Sequence, residues 1–113
     1  MKKKFKLSNK EYVIGFLACV EELNNTFTRY ATVNTSNLNY IFTQVSTSKC
    51  VITYNFILND KYVESIVFNT LFKEERMFYR NFKEGKVRLI KPKKALKIAQ
   101  RWLKRLSKLE KFK

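Results

Sequence analysis

A chain of 113 residues with 45% hydrophobic and 15% aromatic residues can bury one core without disulfide or metal staples, which excludes a disordered basic tail. Two glycines, one proline and no histidine exclude a glycine-rich phosphate loop, a flexible linker and a histidine-based zinc site. The net charge of +15 is lopsided, with +5 over residues 1–10, −2 over 11–70 and +12 over 71–113, and a chain so divided is built to present a positive surface.

Residues 1–7 read as a basic arm carrying Lys2, Lys3, Lys4 and Lys6, either tracking a phosphate backbone or solubilising the terminus. The arm has the charge of a signal peptide, but no long apolar run follows it. YVIGFLACV is broken by Glu21 and Glu22 and is too short to span a bilayer. Cys19 and Cys50 lack C-x-x-C spacing and read as two buried, reduced thiols, so a soluble cytoplasmic setting is expected.

SNKE at residues 8–11 is a capping box that predicts a helix over 9–23. Tyr12, Val13, Phe16, Leu17, Cys19, Val20 and Leu23 share its apolar face, and Asn24 and Asn25 are suited to close it. Residues 26–70 then read as strands. TFTRYATV, NYIFTQVS, KCVITYNFIL and KYVESIVFN are rich in β-branched and aromatic residues, and NTSN and STSK punctuate them. Asn59 and Asp60 both tolerate the positive φ of a tight hairpin, so an antiparallel meander is expected. Residues 71–90 predict a short helical turn near 71–75. A hairpin of ERMFYRNF and KVRLI follows, across Lys83-Glu84-Gly85, with Gly85 in the left-handed position.

Pro92 suits the first position of a last helix. At 100° per residue, Lys93, Lys94, Lys97, Arg101, Lys104, Arg105 and Lys108 fall within an arc of roughly 120°. Ala95, Leu96, Ile98, Ala99, Trp102, Leu103, Leu106 and Leu109 fill a separate arc of roughly 160°. A merely solvated helix mixes signs, because Glu–Lys pairs one turn apart are favourable and like charges repel. This helix forgoes that support, as a binding surface does. Trp102 and the leucines also fit a membrane-surface helix, but the sheet needs a layer over its apolar face and this stripe can supply it.

Just ahead of that helix, cations interleave with rings. Arg76, Phe78, Arg80 and Phe82 share one side of the expected strand by period-two alternation, with Lys86 and Arg88 across the turn. Cations for phosphates and rings for unstacked bases make a single-strand platform; the competing reading puts Phe78 and Phe82 in the core. Glu84-Gly85-Lys86, with Asp60 or Glu64 upstream, has the form of a nuclease E-x-K, although turn chemistry explains it equally well. No other enzyme signature occurs, and no cofactor or metal site is expected.

The expected fold is therefore α+β, a single domain over 8–113 behind the basic arm. It would hold an antiparallel sheet of about five or six strands, an N-terminal helix and a basic amphipathic C-terminal helix. The expected function is non-catalytic nucleic-acid binding, to DNA or RNA, through phosphate contacts. Lys93, Lys94, Lys97, Arg101, Lys104, Arg105 and Lys108 would carry it, extended by Arg76, Arg80, Lys86 and Arg88. The alternative is a small viral or mobile-element inhibitor docking its basic face on an acidic groove of an enzyme or nucleoprotein. Exposed aromatics outside the basic face would separate the two.

Overall fold

The computed structural model describes residues 7–35, 38–70 and 76–111, the last three as backbone only. The four lysines of the N-terminal arm, the turn expected near 71–75 and the side chains of Leu109 and Glu110 lie outside the described residues.

The capping box forms. The Ser8 hydroxyl accepts the Glu11 N–H at 3.2 Å, and the Glu11 carboxylate accepts the Ser8 N–H at 3.0 Å. Helix α1 runs from Asn9 to Val33, ten residues beyond the expected end. TFTRYATV is thus its last part and not a strand. The reason is burial: Leu23, Thr26, Phe27 and Tyr30 continue the helical spacing, and tertiary contact outweighs the β preference of threonine and tyrosine. The threonine hydroxyls are satisfied inside the helix, Thr28 donating to the Asn24 carbonyl at 2.8 Å and Thr32 to the Thr28 carbonyl at 2.7 Å. Leu17, assigned to the buried face, is 40% exposed.

Five strands follow: β1 (Tyr40–Ser48), β2 (Val51–Leu58), β3 (Lys61–Asn69), β4 (Arg76–Asn81) and β5 (Lys86–Ile90). They form one antiparallel sheet in chain order. Asn59 and Asp60 make the β2–β3 turn with φ of 51° and 65°, as their tolerance of that region predicts. The β4–β5 loop is one residue longer than expected, since Asn81 pairs with Lys86; Gly85 has φ 73°, and the Asn81 side chain accepts the Lys83 and Glu84 N–H groups.

Helix α2 (Pro92–Lys111) lies beside α1 on one face of the sheet. Phe16 of α1 meets Tyr54 edge-on at 5.3 Å, and Trp102 of α2 stacks on Phe56 at 5.6 Å. Trp102 and Leu106 are fully buried, so the apolar arc of the last helix covers the sheet. Where the helices cross, Gly15 gives room to Leu96, whose methyl would stand 3.3 Å from any added Cβ. Among the described residues no helix is long and apolar enough to cross a membrane. Among the described residues no helix covers the opposite face of the sheet.

Candidate nucleic-acid interface

Strand β5 and helix α2 are joined by Lys91, whose carbonyl accepts the N–H groups of Lys94 and Ala95 as the helix begins. That short joint turns α2 back along the strand it follows. Tyr79 and Arg88 pair across β4 and β5, and the alternation that buries Tyr79 turns Arg88 to the helix side. A cleft opens between the two elements. One part, about 510 Å³, is lined by Arg88, Lys93, Lys94 and Lys97 with Leu89 and Ile90. An adjoining part, about 430 Å³, shares Tyr79, Arg88 and Lys94 and adds Arg101, Arg105, Glu64 and Glu84.

The structure therefore gathers six of the expected cations, Arg88, Lys93, Lys94, Lys97, Arg101 and Arg105, around one cleft. Lys104 and Lys108 are exposed on α2 outside its lining, and Lys86 shares the Arg88 side of β5 by register. Arg76 and Arg80 do not join this surface. They do share a side with Phe78 and Phe82, but the residues between them, Met77 and Tyr79, are the ones buried against the helices. The arginines consequently lie on the far face of the sheet. Phe78 and Phe82 are half-buried there and are not core residues.

At the floor of the cleft sits the buried carboxylate of Glu64. It accepts the Tyr79 hydroxyl at 2.6 Å, the indole N–H of Trp102 and the guanidinium of Arg101. A buried carboxylate is tolerable only with such compensation. Burial first, then the bond to Glu64, pushes the Tyr79 hydroxyl above its ordinary pKa and keeps it a proton donor. Arg101 is thus committed to Glu64, although its side chain remains 47% exposed and its outer edge still faces the cleft. Glu84 pairs with Arg88 at 3.6 Å.

Glu64 and Glu84 do line the same cleft, as the E-x-K reading requires. The Glu64 oxygens, however, are taken up by Tyr79, Trp102 and Arg101, Glu84 faces Arg88 in an exposed ion pair, and among the described residues no three potential ligands cluster as a metal site would need. Glu64 as a tie between sheet and helix is the feature that sequence reading missed. Its signal was present: in KYVESIVFN it alternates with Ile66 and Phe68, a lone acid on an apolar face. No protein-family model, no curated protein and no solved structure matches the chain.

Proposed function

We propose that this chain is a non-catalytic nucleic-acid-binding protein that holds phosphates in the cleft between β5 and α2. The observation that carries the reading is the convergence of Arg88 from the sheet with Lys94, Lys97 and Arg105 from the helix. The cleft's two carboxylates are already paired, so an incoming anion meets mainly lysine and arginine donors. DNA and RNA both offer the phosphates such a cleft would take. The compartment proposed is the cytoplasm, the ordinary setting for a protein with two free thiols. The test is salt dependence: log K should fall linearly with log salt with a slope steeper than about −3, and a nearly flat line ends the electrostatic mechanism.

A second reading keeps the cleft and changes the ligand. Leu89, 64% exposed, lines the cleft beside its lysines. An apolar rim next to cations suits an acidic protein groove, as a viral or mobile-element inhibitor would use. Purification with and without nuclease separates the two, since coeluting nucleic acid supports the first reading and a nuclease-resistant protein partner the second.

A further inference from the structure

The face of the sheet turned away from the helices has its own side-chain array. Tyr62 of β3 is 51% exposed, and its ring centroid lies 5.4 Å from that of Phe82. The guanidinium carbon of Arg80 sits 4.4 Å from the Phe82 ring centroid. The backbone builds this array. A register shift at Phe56/Ile57 pairs Ile57 with Tyr62, and the Phe82 N–H donates to the Val63 carbonyl at 3.0 Å, fixing the ring beside β3. Next to Arg80 in the ladder is Ser65. Its hydroxyl donates to Asn55, whose amide donates to Thr43 at 3.1 Å; Ser65 and Asn55 are themselves buried, so these bonds brace the sheet beside the array.

We infer that Tyr62, Phe82 and Arg80 form a stacking site for unpaired nucleobases, so that the nucleic acid held by the cleft is single-stranded. This rests on the cleft being a phosphate site. Three observations select that occupant. The array is two rings and a guanidinium plane, which accept the face of any base. None of the strand residues that the register places on this face is acidic, and Arg76 and Arg80 lie on it among the exposed Val45, Val87 and Leu89, so the charge it offers a partner is positive. The array also stands at the loop end of β4 and β5, where Lys86 and Arg88 begin on the other face. Strands lie about 4.8 Å apart. A flexible strand that rounds this edge can leave its phosphates in the cleft and lay a base on Tyr62. A duplex, whose bases are stacked on one another, cannot.

The test measures fluorescence anisotropy of one labelled single strand and of its duplex. The proteins are the wild type, Tyr62→Ala, Tyr62→Phe, and Lys94→Glu combined with Lys97→Glu. Tyr62→Ala should weaken single-strand binding about 5- to 150-fold, the range for one base on one ring. Duplex affinity and the salt slope should not move, and Tyr62→Phe should bind as wild type. The inference is overturned if Tyr62→Ala leaves single-strand affinity intact, or weakens strand and duplex alike, while the lysine reversals abolish binding; the phosphate cleft then stands without it. It is equally overturned if Tyr62→Ala alters self-association or releases a protein partner and nothing else. If the lysine reversals change nothing but Tyr62→Ala still weakens the single strand selectively, the cleft reading falls, and the inference that the cleft holds the strand's phosphates is overturned with it.

Discussion

The carboxylate of Glu64, on β3, accepts the indole N–H of Trp102, on α2, directly beneath the basic face of that helix. One bond thereby joins the core to the surface. Its loss should be felt as instability. Glu64→Leu leaves the Trp102 N–H and the Tyr79 hydroxyl without their acceptor and should cost about 3–5 kcal/mol, comparable with Trp102→Ala. Glu64→Gln keeps an acceptor oxygen and should cost less, about 1–2 kcal/mol. Denaturant titration of the three variants checks the order.

The cations of α2 fall into two classes that charge reversal will separate. Lys94→Glu with Lys97→Glu should abolish nucleic-acid binding at physiological salt yet change stability by less than about 1 kcal/mol, because both side chains are exposed. Arg101→Glu should instead destabilise by about 3 kcal/mol, since it removes the partner of Glu64 and sets a second carboxylate there. Melting curves beside binding isotherms distinguish the classes. Equal melting temperatures for all variants would refute the distinction.

Alkaline pH should weaken the fold in a defined direction. Burial raises the hydroxyl pKa of Tyr54, and burial with the Glu64 bond raises that of Tyr79. The folded state therefore retains those protons after the unfolded chain has released them. The resulting stability is fully present below about pH 10, the unfolded tyrosine value, and is lost as pH rises from there through the higher folded values. Tyr79→Phe should flatten the decline in stability above pH 10, as read by denaturant midpoints against pH. A parallel decline in both proteins would contradict it.

Added magnesium or manganese should not induce the protein to cut DNA or RNA, single- or double-stranded. Glu64 and Glu84 share a cleft, but Glu64 is held by three donors and Glu84 by Arg88. A cation site would have to displace those partners. Metal-dependent cleavage that disappears in both Glu84→Gln and Lys86→Ala would reverse this conclusion.

Much of the fold was legible because local chemistry and global packing agree. Ser8 and Glu11 mark the start of α1, Asn59-Asp60 and Gly85 mark turns, and the two arcs of α2 separate buried from exposed side chains. The end of α1 was not legible, because Thr26, Phe27 and Tyr30 fit strand and helix alike until a neighbour buries one set of them. The candidate site divided on a similar point. Alternation correctly groups Arg76 with Arg80, yet period two is silent on which side meets the helices. That depends on Met77 and Tyr79 finding Ile90 and Glu64, partners distant in sequence. The Tyr62–Phe82 pair is hidden for the same reason, since it needs both the shift near Ile57 and the β4 register.

Gly15 and Leu96 meet where α1 crosses α2, and this contact bears on the order in which the molecule assembles. Every strand pairs with its neighbour in the chain, so the meander can zip up through short loop closures. The helix crossing instead joins the ends of the described chain and carries the largest closure entropy. It is expected to form after the folding barrier, and contacts made that late govern the unfolding rate. A bulky residue at Gly15 should therefore leave the refolding arm of a chevron nearly in place and raise the unfolding arm. The basic helix would then be the last element to dock and the first to leave, and the protein's grip on its ligand would act as a brake on its own unfolding.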